Sequence, residues 1–114
     1  TLNAYLEYLK KHLEVPCLLT GIEDFDWEEF YVMGPGSKKE YEELKRENPS
    51  YKDTFEFMSL EEEFDEDYGI FVNVKRVSDK KKFVLPLADL KPKDKKSKNY
   101  QLLDDYSVWF VNFR

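Results

Sequence analysis

The residues whose number and spacing could do chemistry here are carboxylates, and they fall into three groups. IEDFDWEEF holds Glu23, Asp24, Asp26, Glu28 and Glu29. EEEFDEDYG, residues 61–69, puts six carboxylates into nine positions with no Lys or Arg among them. The third group is the pair Asp104 and Asp105. Two like charges about 4 Å apart repel by roughly 4 kcal/mol at an effective dielectric of about 20. A domain with only ~5–15 kcal/mol of stability must give such groups water or a cation. Hard oxygen donors without thiolates beside them suit Ca2+ or Mg2+, and loops able to deliver several oxygens favour Ca2+.

An EF-hand is tested directly. Asp24, Asp26 and Glu28 match loop positions one, three and five, but position six is Glu29 instead of Gly and position twelve is Pro35 instead of Glu. A loop starting at Asp65 places Ile70 and Arg76 at those two positions. No EF-hand is present, so a calcium site has to be assembled from separated segments.

Other chemistry is poorly served. His12 is the one histidine and Cys17 the one cysteine, which excludes an internal disulfide, a Cys-based zinc site and a two-His metal site. No Gly-x-Ser-x-Gly elbow or phosphate-binding Gly-rich loop occurs. An enzyme is not expected. Within the net charge of −6, residues 22–68 carry 17 acidic and 5 basic side chains, a balance of −12, and residues 75–98 carry 3 and 10, a balance of +7. Nucleic acid is an improbable partner for an acidic chain, despite the basic run KPKDKKSK. The apolar runs are too short to cross a membrane, no signal peptide is read, and the expected location is cytoplasmic.

The elements that must position these carboxylates can be read in order. The chain has 114 residues, one domain's worth, and its 17% aromatic content demands a packed core. Leu2, Tyr5, Leu6, Leu9 and Leu13 share one face of an N-terminal helix that Pro16 ends. CLLTGI reads as a strand, and KKEYEELKREN, residues 38–48, as a helix capped by Ser37. TFEFMSL reads as a strand, followed by the acidic stretch as a loop. YGIFVNVKRV and KKFVLPLADL form a hairpin about Ser78, Asp79 and Lys80. YSVWFVNF, residues 106–113, reads as the last strand.

That order predicts an α+β domain: an SH3-like small β-barrel with an N-terminal helix and a helix inserted in the first long loop. In such a barrel the first and last strands run antiparallel, which would carry Asp24 towards Asp104 and Asp105, with the acidic loop on the same rim. The expected ligands are Asp24, Glu28, Glu29, Asp65, Asp67, Asp104 and Asp105, and the expected ion is Ca2+.

DEDYGIFVNVKR, KKFVLPLADLK and SKNYQLLDDYSVWFVN together resemble a bacterial family of small acidic calcium-binding proteins of cyanobacterial type. NYQLLDDYSVWF is the most specific of these pieces. The resemblance implies a small α+β protein that binds Ca2+ through clustered carboxylates without EF-hands, and Asp65, Asp67, Asp104 and Asp105 carry over by motif. The excursion over residues 30–52 is longer than in the short members of that family. A rival reading is a protein-interaction module, in which Tyr31, Tyr68, Tyr106 and Trp109 line an acidic rim that selects basic peptides.

Overall fold

The computed structural model describes residues 1–113. Helix α1, Leu2–His12, starts where the Thr1 hydroxyl accepts a hydrogen bond from Ala4 N at 3.1 Å. Lys10, Lys11 and His12 lie in its last turn, where positive charge suits the helix dipole. Leu2, Leu6 and Leu9 are its buried face, as the spacing predicts. Strand β1 is Leu18–Gly21. A single 3-10 turn at Asp26–Glu28 leads into the short helix α2, Glu29–Val32. Helix α3, Lys38–Leu44, has Ser37 as its cap, with the hydroxyl accepting from Glu40 N at 3.1 Å.

Strand β2 runs from Phe55 to Asp65, so most of the acidic stretch is strand and not loop. Its pairing with β3, Gly69–Arg76, steps from Leu60 opposite Val72 to Phe64 opposite Ile70. Four residues on β2 there cover what two cover on β3. Glu61, Glu62 and Glu63 lie within the resulting bulge. Strand β4, Lys82–Pro86, completes the expected hairpin, with Lys80 at positive φ in its turn. A 3-10 turn at Leu87–Asp89 then leads into β5, Leu90–Pro92.

The α+β class stands, but the barrel does not. The sheet is antiparallel throughout and open, in the order β4-β3-β2-β1-β5. The strand paired with β1 at its outer side is β5, which lies within the segment expected to be a basic connection and the end of the hairpin.

The chain ends in a helix, not a strand: α4, Lys98–Phe113. Tyr106 and Phe110 alternate with other residues in a way that mimics a strand, but Leu103 continues the spacing backwards by three. Leu103, Tyr106 and Phe110 are the buried stripe of this helix. The aromatic and β-branched content is a weak preference that burial of this stripe overrides. α1 and α4 contribute to one core with Leu19, Phe55, Ile70, Val72, Val74, Leu87 and Leu90.

Two polar contacts lock this packing. Tyr106 is fully buried, and its hydroxyl accepts from Ile70 N at 2.8 Å. Burial pushes the Tyr106 pKa up to about 12, which keeps the hydroxyl neutral. The preceding residue, Gly69, has φ +77°, and a Cβ there would collide with the Tyr106 hydroxyl and the Phe110 ring. Arg76, almost wholly buried, caps the C-terminal end of α3. Its Nη1 donates to the carbonyls of Lys45 at 2.9 Å and Asn48 at 3.0 Å, and Nη2 to that of Arg46 at 2.7 Å. The same guanidinium binds Asp79 through Nε at 3.0 Å and Nη2 at 2.8 Å, and Asp53 through Nη1 at 3.1 Å.

Replacing Tyr106→Phe strands the buried Ile70 N–H and is expected to cost about 1–3 kcal/mol in urea unfolding. An unchanged midpoint would show that water or another group satisfies that N–H. The Arg76 hydrogen bonds hold the Asp79 carboxyl at a pKa of about 2, below its ordinary 3.8. A folded-state pKa below the unfolded one adds stability above the unfolded value, and this is lost as pH falls through the folded one. The stability gap between the wild type and Asp79→Asn is therefore constant above about pH 5 and closes between pH 4 and 2. A gap independent of pH over that range would remove the ion pair from the account.

Candidate metal centre

The segment between β1 and α2 is shaped from inside by Glu28. This carboxylate is fully buried and takes a hydrogen bond from each of four groups. Oε1 accepts from Phe25 N at 3.2 Å and Tyr51 N at 2.8 Å; Oε2 accepts from the Tyr41 hydroxyl at 2.6 Å and the Ser50 hydroxyl at 2.7 Å. Charge-assisted bonds of this kind offset the loss of water. Burial, and then the Glu28 bond, lift the Tyr41 pKa to about 12. Beside it, Trp27 Nε1 donates to the Pro49 carbonyl at 2.6 Å. Glu28 and Trp27 thus pin the segment to α3 and the chain after it, so the neighbouring carboxylates are turned outward.

Those outward carboxylates are Glu23, Asp24, Asp26 and Glu29, and they line a cleft of about 370 Å³ together with Asp89. The far wall is α4, through Ser107, Val108, Val111 and Asn112. Ile22 N donates to the Asp89 carbonyl at 2.9 Å, which continues the β1–β5 pairing and seats Asp89 opposite the first acidic group. Asp89 keeps solvent contact, yet its pKa is raised. The packed surroundings are the larger cause; the negative charges of Asp26 and Glu23 add to it. Five carboxylates line this one cleft.

The second group lies elsewhere. Glu61, Glu62, Glu63 and Asp65 line a separate hollow of about 560 Å³ with Phe64, Phe71 and Val84. Glu62 is paired with Lys10 at 2.6 Å. Asp65 Oδ1 accepts from Asp67 N at 2.7 Å and Tyr68 N at 3.1 Å, which makes the tight turn into β3. The third group is on α4. Asp104 is exposed, and Asp105 lines a third cleft against α1, where its Oδ1 accepts from Gln101 Nε2 at 2.7 Å.

The single rim expected from the sequence is therefore absent, because the last segment is a helix and β5 takes the place beside β1. The structure brings Asp24 and Glu29 together, holds Asp65 and Asp67 in one turn, and puts Asp104 and Asp105 side by side in sequence on α4. It sets Glu28 beneath the first cleft, bonded to protein donors. Among the described residues no three Asp, Glu, His or Cys side chains are gathered closely enough to enclose a metal ion as they stand. The four expected aromatics also part company. Tyr106 is core, Tyr31 stacks on Tyr41 at 5.6 Å, Tyr68 lies by Phe71 at 6.4 Å, and Trp109 lies by Tyr5 at 5.0 Å.

Asp89 was not among the residues expected to bind. Its one signal in the sequence is an acidic residue inside the apolar run VLPLADL, three residues after Pro86. Exposed carboxylates with carbonyls and water nearby are the donor set that Ca2+ takes, and none of the clefts offers a softer ligand.

No curated protein and no solved structure gives a significant match to this chain. Residues 37–110, from the start of α3 to Phe110 in α4, match the family described as calcium binding, CcbP. That span includes Asp65, Asp67, Asp89, Asp104 and Asp105, and begins after Asp24, Glu28 and Glu29. The match covers well over half of the chain, which belongs to the CcbP calcium-binding family, with Ca2+ as the bound ion.

Proposed function

We propose that the protein binds Ca2+ reversibly in the cleft between the β1–α2 segment and α4, as a buffer or sensor and not as a catalyst. Asp24, Asp26, Glu29 and Asp89 are the proposed ligands. Glu23 adds charge, and Glu28 acts as the internal support. The observation that carries this reading is that Glu23, Asp24, Asp26, Glu29 and Asp89 all line one cleft; burial first, and then the charges of Asp26 and Glu23, raise the Asp89 pKa. A divalent cation between these groups converts their repulsion into binding energy. Because no three carboxylates are gathered as they stand, binding requires side-chain rotation, with backbone carbonyls and water completing the shell. Ligands on flexible side chains give an ion site that exchanges readily.

Asp65 and Asp67 form the proposed second, weaker location. There Asp65, the first of the turn's three carboxylates, already accepts two backbone hydrogen bonds. Asp104 and Asp105 add to the field that draws cations, because a helix face presents them to solvent and to the α1 cleft.

Calorimetric titration with Ca2+ at physiological salt separates these locations. Asp24→Asn with Asp89→Asn is expected to weaken the tightest binding by at least about tenfold, because each removes a charge facing the ion. Asp65→Asn with Asp67→Asn leaves that step in place. Unchanged tight binding in the first double variant, with loss in the second, would move the site to the β2–β3 turn.

The pH dependence follows with its sign. A carboxylate whose pKa is raised holds its proton to higher pH, so protons compete with Ca2+ at Asp89 above the ordinary carboxylate range. Affinity is expected to fall on acidification sooner in the wild type than in Asp89→Asn. Parallel pH profiles for the two would exclude Asp89 from the ion.

A further inference from the structure

We propose that the outer face of strands β2, β3 and β4 docks a second copy of this chain, the two copies being related by a twofold axis that runs across the strands. Along β3, Val72 and Val74 turn to the core, and Phe71, Asn73 and Lys75 alternate to the opposite face. On β4, Leu85 is buried, and Lys82, Val84 and Pro86 share that opposite face. The register sets three rows across it: Pro86 with Phe71, Val84 with Asn73 and Ser59, and Lys82 with Lys75 and Glu56. Asn73 Nδ2 donates to Ser59 Oγ at 3.1 Å within the middle row. Val84 lines both the acidic hollow of β2 and a second hollow of about 360 Å³ shared with Met58, Asn73 and Lys82, so the two are continuous. Val84 is 53% exposed and Met58 45%, which leaves an apolar centre in contact with water.

Charge selects the occupant. One end of the face is negative, through Glu61, Glu63 and Asp65. The other end carries Lys75 and Lys82, which stand directly opposite each other although like charges so placed repel. Glu56 is the neighbour of Lys75 on its other side. None of these six side chains makes an ion pair among the described residues. A partner of a single sign, whether a nucleic acid or a basic or acidic peptide, meets one matching end and one repelling end. A copy of the same face turned end for end meets a matching end at both. A twofold axis across the strands makes that match, whereas an axis along them stacks like ends on like. Three strands about 4.8 Å apart, with about 3.3 Å per residue, make a patch of a few hundred Å². That is less than the ~800 Å² per partner of a standard stable interface, so the dimer is weak and reversible. None of the residues that line the calcium cleft lines these two hollows.

The test is sedimentation equilibrium of the full chain at low salt, from about 20 μM to about 1 mM. The buffer is calcium-free, because Asp65 also belongs to the weaker calcium location. The average mass is expected to rise reversibly towards that of a dimer, and a monomer throughout overturns the proposal. Lys75→Glu with Lys82→Glu, and separately Glu61→Lys with Glu63→Lys, set like charges over like. Each pair is expected to weaken dimerisation at least about tenfold. The second pair also lowers the net negative charge, so a general charge effect would strengthen association there, and that result overturns the assignment. Mixed in equal amounts, the two variants present opposite charges at both ends and are expected to associate at least as well as the wild type. A mixture that stays monomeric overturns the twofold arrangement. A 1H–15N dilution series locates the contact: the Asn73 and Val84 amides are expected to move with concentration. The Trp27 indole, bonded to Pro49, stays still and checks the fold of each variant. A dimer whose concentration-dependent signals lie on α1 or α4 instead overturns the face.

Discussion

The buried hydroxyl of Tyr106, bonded to Ile70 N, is the contact on which the arrangement of this molecule depends. It joins the last helix to strand β3 at the point where the β2–β3 turn ends. Gly69 makes the approach possible, since any side chain there would occupy the place of that hydroxyl. Helix α4 is the shared wall of two clefts, one acidic and one aromatic. Loosening its seat would therefore disturb both clefts together, although Tyr106 itself lines neither.

The acidic charge of the chain is handled in three physically distinct ways. Glu28 is taken inside and given four donors, which turns a costly buried charge into a clamp. Glu61, Glu62 and Glu63 lie in a bulge of β2, with Glu62 paired to Lys10. Glu23, Asp24, Asp26, Glu29 and Asp89 are left lining one cleft, where burial first and then the charges of Asp26 and Glu23 raise the Asp89 pKa. The first arrangement is complete without a ligand, and the second is partly neutralised by Lys10. The third is the one that gains most from a cation, which is why the calcium reading attaches to it in preference to the longer acidic run.

Much of this fold was legible in the sequence where a single period dominates. The leucine spacing of α1, the Ser37 cap of α3 and the β3–β4 hairpin all stand as read. The errors came where two periods coexist. Residues 106–113 read as a strand only when cut away from Leu103; joined to it, Tyr106 and Phe110 fall on one helical face. The acidic run read as a loop because charge suggests solvent, yet alternation continues through Phe64 into β2. These two misreadings produced the false rim, since they fixed which segments would be neighbours. Charge density points to Asp24 and Glu29, whereas Asp89 reaches the cleft they line only through the β1–β5 pairing, which local patterning does not encode.

The central claim is that the cleft carboxylates, not the longest acidic run, hold the ion. Carboxyl 13C NMR during a Ca2+ titration tests it most directly, because each Asp and Glu reports its own ligation. The account predicts that the signals of Asp24, Asp26, Glu29 and Asp89 move first and together, with Glu28 nearly still in its internal cage. Early movement confined to Asp65, Asp67, Asp104 or Asp105, with the cleft signals unmoved, would contradict it.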